Sequence, residues 1–96
     1  MIIKQSVKNT LDRIGIDYIE LEKQAGKVQV LNRFSGEPCE TSPLIAECIR
    51  MVYAIGNEYE AGITKAGKLR VNISDFDRLR YFVLEADPDA YMICLD

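Results

Sequence analysis

Apolar and polar positions change their period several times along the chain, and each change marks an element. Ile3, Val7, Leu11 and Ile14 recur at i, i+4, i+8 and i+11, with Lys4, Lys8, Asp12 and Arg13 elsewhere on the surface. That stripe predicts an amphipathic helix over about residues 3–14, stopped by Gly15 in a left-handed conformation. Residues 17–22 alternate, with Ile19 and Leu21 on one side and Tyr18, Glu20 and Glu22 on the other, which predicts a strand. Lys23-Gln24-Ala25-Gly26 predicts a tight turn, and residues 27–34 the return strand with Val28 and Val30 inward. Residues 35–41 hold Gly36, Pro38 and polar residues without a period, so they predict a loop carrying Cys39.

Ser42 as N-cap and Pro43 at the first helical position predict the start of a second helix. Its apolar face, Leu44, Ile45, Cys48, Ile49, Val52, Tyr53 and Ile55, is wide enough to make it central, and Gly56 is expected to stop it as Gly15 stops the first. Residues 58–64 and 68–73 alternate around Lys65-Ala66-Gly67 and predict a second hairpin, with Leu69, Val71 and Ile73 inward. Ser74 is read as the cap of a third helix, with Asp75 and Asp77 near its positive end and Phe76, Leu79, Phe82, Val83 and Ala86 as its stripe. Asp87-Pro88 ends that helix, and the unbroken apolar run from Ala90 to Leu95 predicts a final strand buried on both faces.

The expected fold is therefore α+β: three helices packed on a mostly antiparallel sheet of about five strands, in the order α-ββ-α-ββ-α-β. From the second strand onward that order matches the ferredoxin-like split βαβ. A duplicated αββ unit is the competing order, and an internal repeat favours it. Residues 14–30 align with residues 55–71 at a constant offset of 41 (56 − 15 = 41), and seven of the seventeen positions are identical. The repeat places Tyr18 opposite Tyr59 and Gly26-Lys27 opposite Gly67-Lys68.

Ninety-six residues make one domain, 48% apolar and 28% charged, an ordinary composition for a globular chain. No apolar run approaches the ~18 residues of a membrane span, and Lys4 interrupts the N-terminus too early for a signal peptide. The expectation is a cytoplasmic protein. A net charge of −3 without a basic cluster argues against duplex nucleic acid as a partner. The return strand 68–73 also lacks the exposed aromatics that RNA-binding sheets use. Three cysteines without a C-x-x-C spacing indicate neither a disulfide framework nor a zinc ribbon, and the chain has no histidine. The commonest general base and metal ligand are thus both missing, and no cofactor or metal is expected.

What remains is weak chemistry. The two Gly-Lys pairs invite a phosphate loop, but strands rather than a Ser/Thr-led helix are predicted after them, so a turn explains them. Cys39 precedes a helix N-terminus, where a thiolate is stabilised, yet without histidine its base would be a lysine or a carboxylate. The carboxylate pairs Glu20/Glu22 and Glu58/Glu60, and the acidic Asp87, Asp89 and Asp96, read as solvated faces before they read as cation sites. Arg70, Arg78 and Arg80 are candidates for a small anion site, and Tyr18 and Tyr59 for the rim of a partner site.

Residues Asn72-Ile73-Ser74-Asp75-Phe76-Asp77-Arg78-Leu79, followed by Glu85-Ala86-Asp87-Pro88-Asp89-Ala90-Tyr91-Met92-Ile93, resemble the end of the cytosolic C-terminal domain of YitT-type membrane proteins. The likeness covers about a quarter of the chain and lacks that family's membrane spans and glycine-rich hairpin. It implies a ferredoxin-like fold, a closing strand and a small regulatory or ligand-sensing module, and no active-site residue carries over. The functional expectation is a non-catalytic binding or interaction module, with a protein partner or self-association through a sheet edge. A small-ligand-sensing regulatory domain is the alternative. Binding is assigned to Tyr18, Tyr59, Cys39, Arg70 and Arg78.

Overall fold

Ser42 and Pro43 begin the longest helix among the described residues. The computed structural model describes residues 2–60 and 73–96. Its elements are α1 (Gln5–Ile14), α2 (Tyr18–Lys23), β1 (Val28–Leu31), β2 (Pro38–Thr41), α3 (Pro43–Glu60), α4 (Ile73–Ala86) and α5 (Pro88–Cys94). Ser42 Oγ accepts a hydrogen bond from Ile45 N at 3.3 Å, and Pro43 fills the first-turn position where no donor is needed. Leu44, Ile45, Ala46, Cys48, Ile49, Val52 and Ile55 are all buried, so α3 is covered on most of its circumference, as its wide apolar face demands. It packs on α4, α2 and β1, and α4 in turn holds α1 and α5. Leu79, Phe82 and Val83 carry the buried stripe of α4, and Val7 and Leu11 that of α1.

Among the described residues the protein is a small α+β fold of five helices and one two-stranded antiparallel sheet. The expected arrangement of three helices on about five strands is overturned, and with it the ferredoxin-like order. Residues 17–22 are not a strand. Asp17 Oδ1 accepts from Glu20 N at 3.1 Å and caps α2, and the half-buried Tyr18 and Leu21 sit at helical spacing while Ile19 stays exposed. The final strand is also a helix. Asp87 Oδ1 accepts from Ala90 N at 3.2 Å, Pro88 occupies the first turn, and Ala90 and Cys94 are buried at i and i+4.

The expected loop at 35–41 instead supplies β2, paired with β1 in the register Val28↔Thr41, Val30↔Cys39 and Leu31↔Pro38. Asn32 builds the connecting turn. Its Oδ1 accepts from Phe34 N at 2.7 Å and Ser35 N at 2.9 Å, and Gly36, at φ 75°, returns its N–H to Asn32 O. The first hairpin is therefore β1–β2, one element later than expected.

The internal repeat has no structural counterpart where it can be compared. Gly15, at φ 88°, ends α1, and Ile16 N closes the cap on Leu11 O at 2.8 Å. Gly56 lies inside α3, which runs on to Glu60. Tyr18 opens a six-residue helix, whereas Tyr59 belongs to the last turn of α3. The second hairpin begins inside that helix turn, and the remainder of it, including Lys65-Ala66-Gly67 and Arg70, lies outside the described residues. No helix among the described residues is long and apolar enough to cross a membrane.

Candidate functional site

Two arginines and four aromatic rings converge at the end of the molecule where the β1–β2 turn meets α3, α4 and α5. The Arg33 guanidinium stands 4.7 Å from the centre of the Phe34 ring and 5.7 Å from that of Tyr53, and its Nη1 donates to Tyr53 O at 3.3 Å. The Arg80 guanidinium stands 5.4 Å from the Phe76 ring and 5.9 Å from Tyr91, and its Nη2 donates to the Tyr91 hydroxyl at 3.0 Å. Cations over ring faces are attracted by the quadrupole, by about 0.5–1 kcal/mol at an exposed site. Each guanidinium is thus held in place by aromatic rings and a hydrogen bond. Arg33 and Arg80 line the same cavity of about 250 Å³, whose floor includes Val52, Gly56 and Cys94.

The cavity follows from local folding. Asn32, besides making the turn, donates from Nδ2 to Ile93 O at 2.8 Å and so ties the hairpin to α5. Tyr53 O–H donates to Cys94 O at 2.7 Å and fixes the end of α5 against α3. Phe34, which lines the cavity, is 81% exposed. Asp96 also borders the cavity, and Asp77 Oδ1 lies 3.9 Å from Arg80 Nη1, a separation that gives a weak surface pair.

A larger groove of about 760 Å³ runs between the N-terminal segment with α1 and the length of α4. Ile2 and Tyr81 are exposed on it, and the surface pair Lys4–Glu85 spans it at 3.4 Å. Arg78 lines this groove and donates from Nη1 to Thr10 Oγ1 at 3.0 Å.

The described residues among those singled out from sequence, Tyr18, Cys39 and Arg78, lie in separate places. Tyr18 packs against the core at the start of α2. Arg78 serves the α1–α4 seam. Arg70 and the side chain of Tyr59 lie outside the described residues. Cys39 is not on an open loop but buried on β2, 5% exposed. Burial, reinforced by the neighbouring Cys94, pushes its thiol up to about 11, the opposite of what a nucleophile needs. Of the expected anion-site arginines among the described residues, Arg80 lines this cavity and Arg78 lines the α1–α4 groove. Arg33, Phe34 and Tyr53 carried no expectation of this kind, although Arg33-Phe34 after a turn-forming Asn32 is a local sign of an exposed cation beside an aromatic. Among the described residues no three side chains gather as metal ligands.

Burial also raises the Cys48 thiol, to about 12, and the Tyr53 hydroxyl, to about 12 with Cys94 contributing. The folded chain holds these protons where the unfolded chain releases them. Stability from these groups is therefore full below the ordinary thiol value of 9.0 and is lost as the pH climbs towards 11 and 12. By pH 10 the two cysteines alone are expected to cost about 1 kcal/mol each. Urea denaturation at pH 7 and pH 10 checks this, and an unchanged midpoint contradicts it.

No protein-family description matches the chain, and searches of curated proteins and of solved structures return no match. The geometry is therefore what bears on function.

Proposed function

We propose that the chain is a non-catalytic, cytoplasmic binding module that takes an acidic segment of a protein partner at the Arg33–Arg80 face. The observation that carries this reading is the pair of ring-supported guanidinium groups on one cavity. Arginine and aromatic residues are the side chains enriched where interfaces concentrate their energy, and a ring-held arginine loses little entropy on binding. The exposed Phe34 supplies an apolar edge to the cavity. At about 250 Å³ the cavity falls below the ~300–1,000 Å³ of ordinary small-molecule sites, so it suits one side chain better than a whole metabolite. Three free cysteines fit a reducing compartment. The raised thiol of Cys39 speaks against nucleophilic catalysis there.

The probe is a short peptide of alternating glutamate and phenylalanine, followed by amide shifts in the 15N-labelled chain. Shifts are expected at residues 32–34, 53, 80 and 91–96, weakening with salt. The double substitution R33A/R80A is expected to weaken binding at least about tenfold. R50A, which removes the exposed pair with Glu47, is expected to leave it unchanged. Shifts elsewhere, or binding indifferent to R33A/R80A, refute the reading. The small-ligand alternative predicts instead that benzoate raises the melting temperature while the peptide does not. Self-association predicts that the same residues shift with protein concentration alone.

A further inference from the structure

We propose that the acidic partner segment binds as a third strand, hydrogen-bonded along the outer edge of β1. The register shows which groups that edge presents. Asn32 N–H donates to Glu37 O at 2.9 Å and extends the pairing one step beyond Leu31↔Pro38. Opposed residues of an antiparallel pair alternate between exchanging hydrogen bonds and not exchanging them. With Asn32 and Glu37 bonded, Val30 bonds with Cys39 and Val28 with Thr41. Gln29 and Leu31 therefore turn N–H and C=O away from β2. Both residues are exposed, and among the described residues no hydrogen bond reaches their backbone from that side. An edge of this kind is a template for another strand.

The two edges of the sheet differ. By the same alternation the outward positions of β2 are Pro38 and Glu40. Pro38 has no N–H to offer, and α5 packs on β2. Proline and charge are ordinary means of closing a strand edge. β1 carries neither at Gln29 or Leu31.

Charge selects the occupant. Residues 23–36 include Lys23, Lys27 and Arg33 and no acidic residue, although the net charge of the chain is −3. Residues 34–49, which contain β2, include Glu37 and Glu40 and no cation. A second copy adding its β1 about Val30 would set Lys27 opposite Arg33, and like charges directly opposed destabilise a sheet. An acidic extended segment meets cations at both ends of β1 instead. The exposed Leu31 offers apolar contact to one of its side chains. β1 runs straight into Asn32, Arg33 and Phe34, which line the arginine–aromatic cavity, so edge and cavity follow one another along the chain. This placement rests on the reading of that cavity as a site for an acidic segment, while the open edge stands apart from it.

The test adds three peptides in turn to the 15N-labelled chain. One is the alternating glutamate–phenylalanine peptide; the others carry backbone N-methyl groups at every glutamate or at every phenylalanine. An added strand points alternate N–H groups at β1, so one methylated peptide loses those donors and the other keeps them. Affinity is expected to fall at least about tenfold for one methylated peptide and to change less than about twofold for the other. With the unmodified peptide, amide exchange at Gln29 and Leu31 is expected to slow about tenfold, and that of Glu40 to stay as it was. Unchanged exchange at Gln29 and Leu31, or equal effects of the two methylations, overturns the added strand; shifts at the cavity amides would then leave the cavity reading standing. Slowed exchange that survives R33A/R80A keeps the strand and sinks the cavity. A peptide that shifts no amide overturns both. Protection of Gln29 and Leu31 that grows with protein concentration, without peptide, gives the edge to a second copy and overturns the acidic partner.

Discussion

Arg13→Ala is expected to lower stability by about 2–3 kcal/mol, although the arginine itself lies half in solvent. The reason is its partner. Asp75, in the first turn of α4, is 1% exposed, and Arg13 Nη2 in the last turn of α1 donates to its Oδ1. That hydrogen bond holds the Arg13 guanidinium further above its ordinary value, so the arginine keeps its charge. A buried carboxylate is tolerable because of such a donor and the positive end of α4. Removing Arg13 leaves the buried charge short of its guanidinium, which is the costly direction for such a pair. Water reaching a side chain 47% exposed keeps the loss at the lower end of the range for buried pairs. Arg13→Lys keeps the charge but not the fork, and about 1 kcal/mol is expected. The double substitution R13A/D75A is expected to be less destabilising than the sum of the single ones, by about 1 kcal/mol or more. Additive losses by urea denaturation would show that the two side chains act independently.

The long helices were legible in the sequence because they repeat their message. In α3 the capping Ser42, the first-turn Pro43 and an apolar face from Leu44 to Ile55 all agree, and in α4 the stripe from Phe76 to Ala86 ends before a proline. In the short elements the apolar period and the cap point different ways, and the cap decides. Over six residues, Ile19 and Leu21 at period two look as apolar as Tyr18 and Leu21 at helical spacing. The deciding information was the cap. Asp17 followed three residues later by Glu20 is a helix start, and Asp87-Pro88 starts α5 as much as it ends α4. Glycine misled in the same way, since Gly15 stops a helix only because it takes a positive φ, whereas Gly56 continues one. The candidate site was less legible still. Arg33 and Arg80 are brought together by the packing of a turn on α3 and α4, and no local spacing encodes that.

Asp87→Ala is expected to lower stability by about 3 kcal/mol. Asp87 uses both carboxylate oxygens. Oδ1 accepts from Ala90 N and caps α5, and Oδ2 accepts from the Thr41 hydroxyl at 2.6 Å. Loss of an N-cap costs about 1 kcal/mol. Thr41 is fully buried on β2, so its hydroxyl, deprived of its acceptor, adds about 1–3 kcal/mol. Asp87→Asn keeps an acceptor for the cap and a partner for Thr41, and about 1 kcal/mol is expected. Replacing the hydroxyl as well separates the two contributions. T41V/D87A is expected to recover at least about 1 kcal/mol relative to D87A, because the orphaned donor is gone, while the cap remains lost. In D87A the hydrogen exchange of Ala90 to Leu95 is expected to quicken before that of α3, since the defect lies where α5 begins. If D87A and D87N prove equally stable, the carboxylate does not hold α5 to the sheet. The helical choice for residues 88–94 would then rest on burial of Ala90 and Cys94 alone.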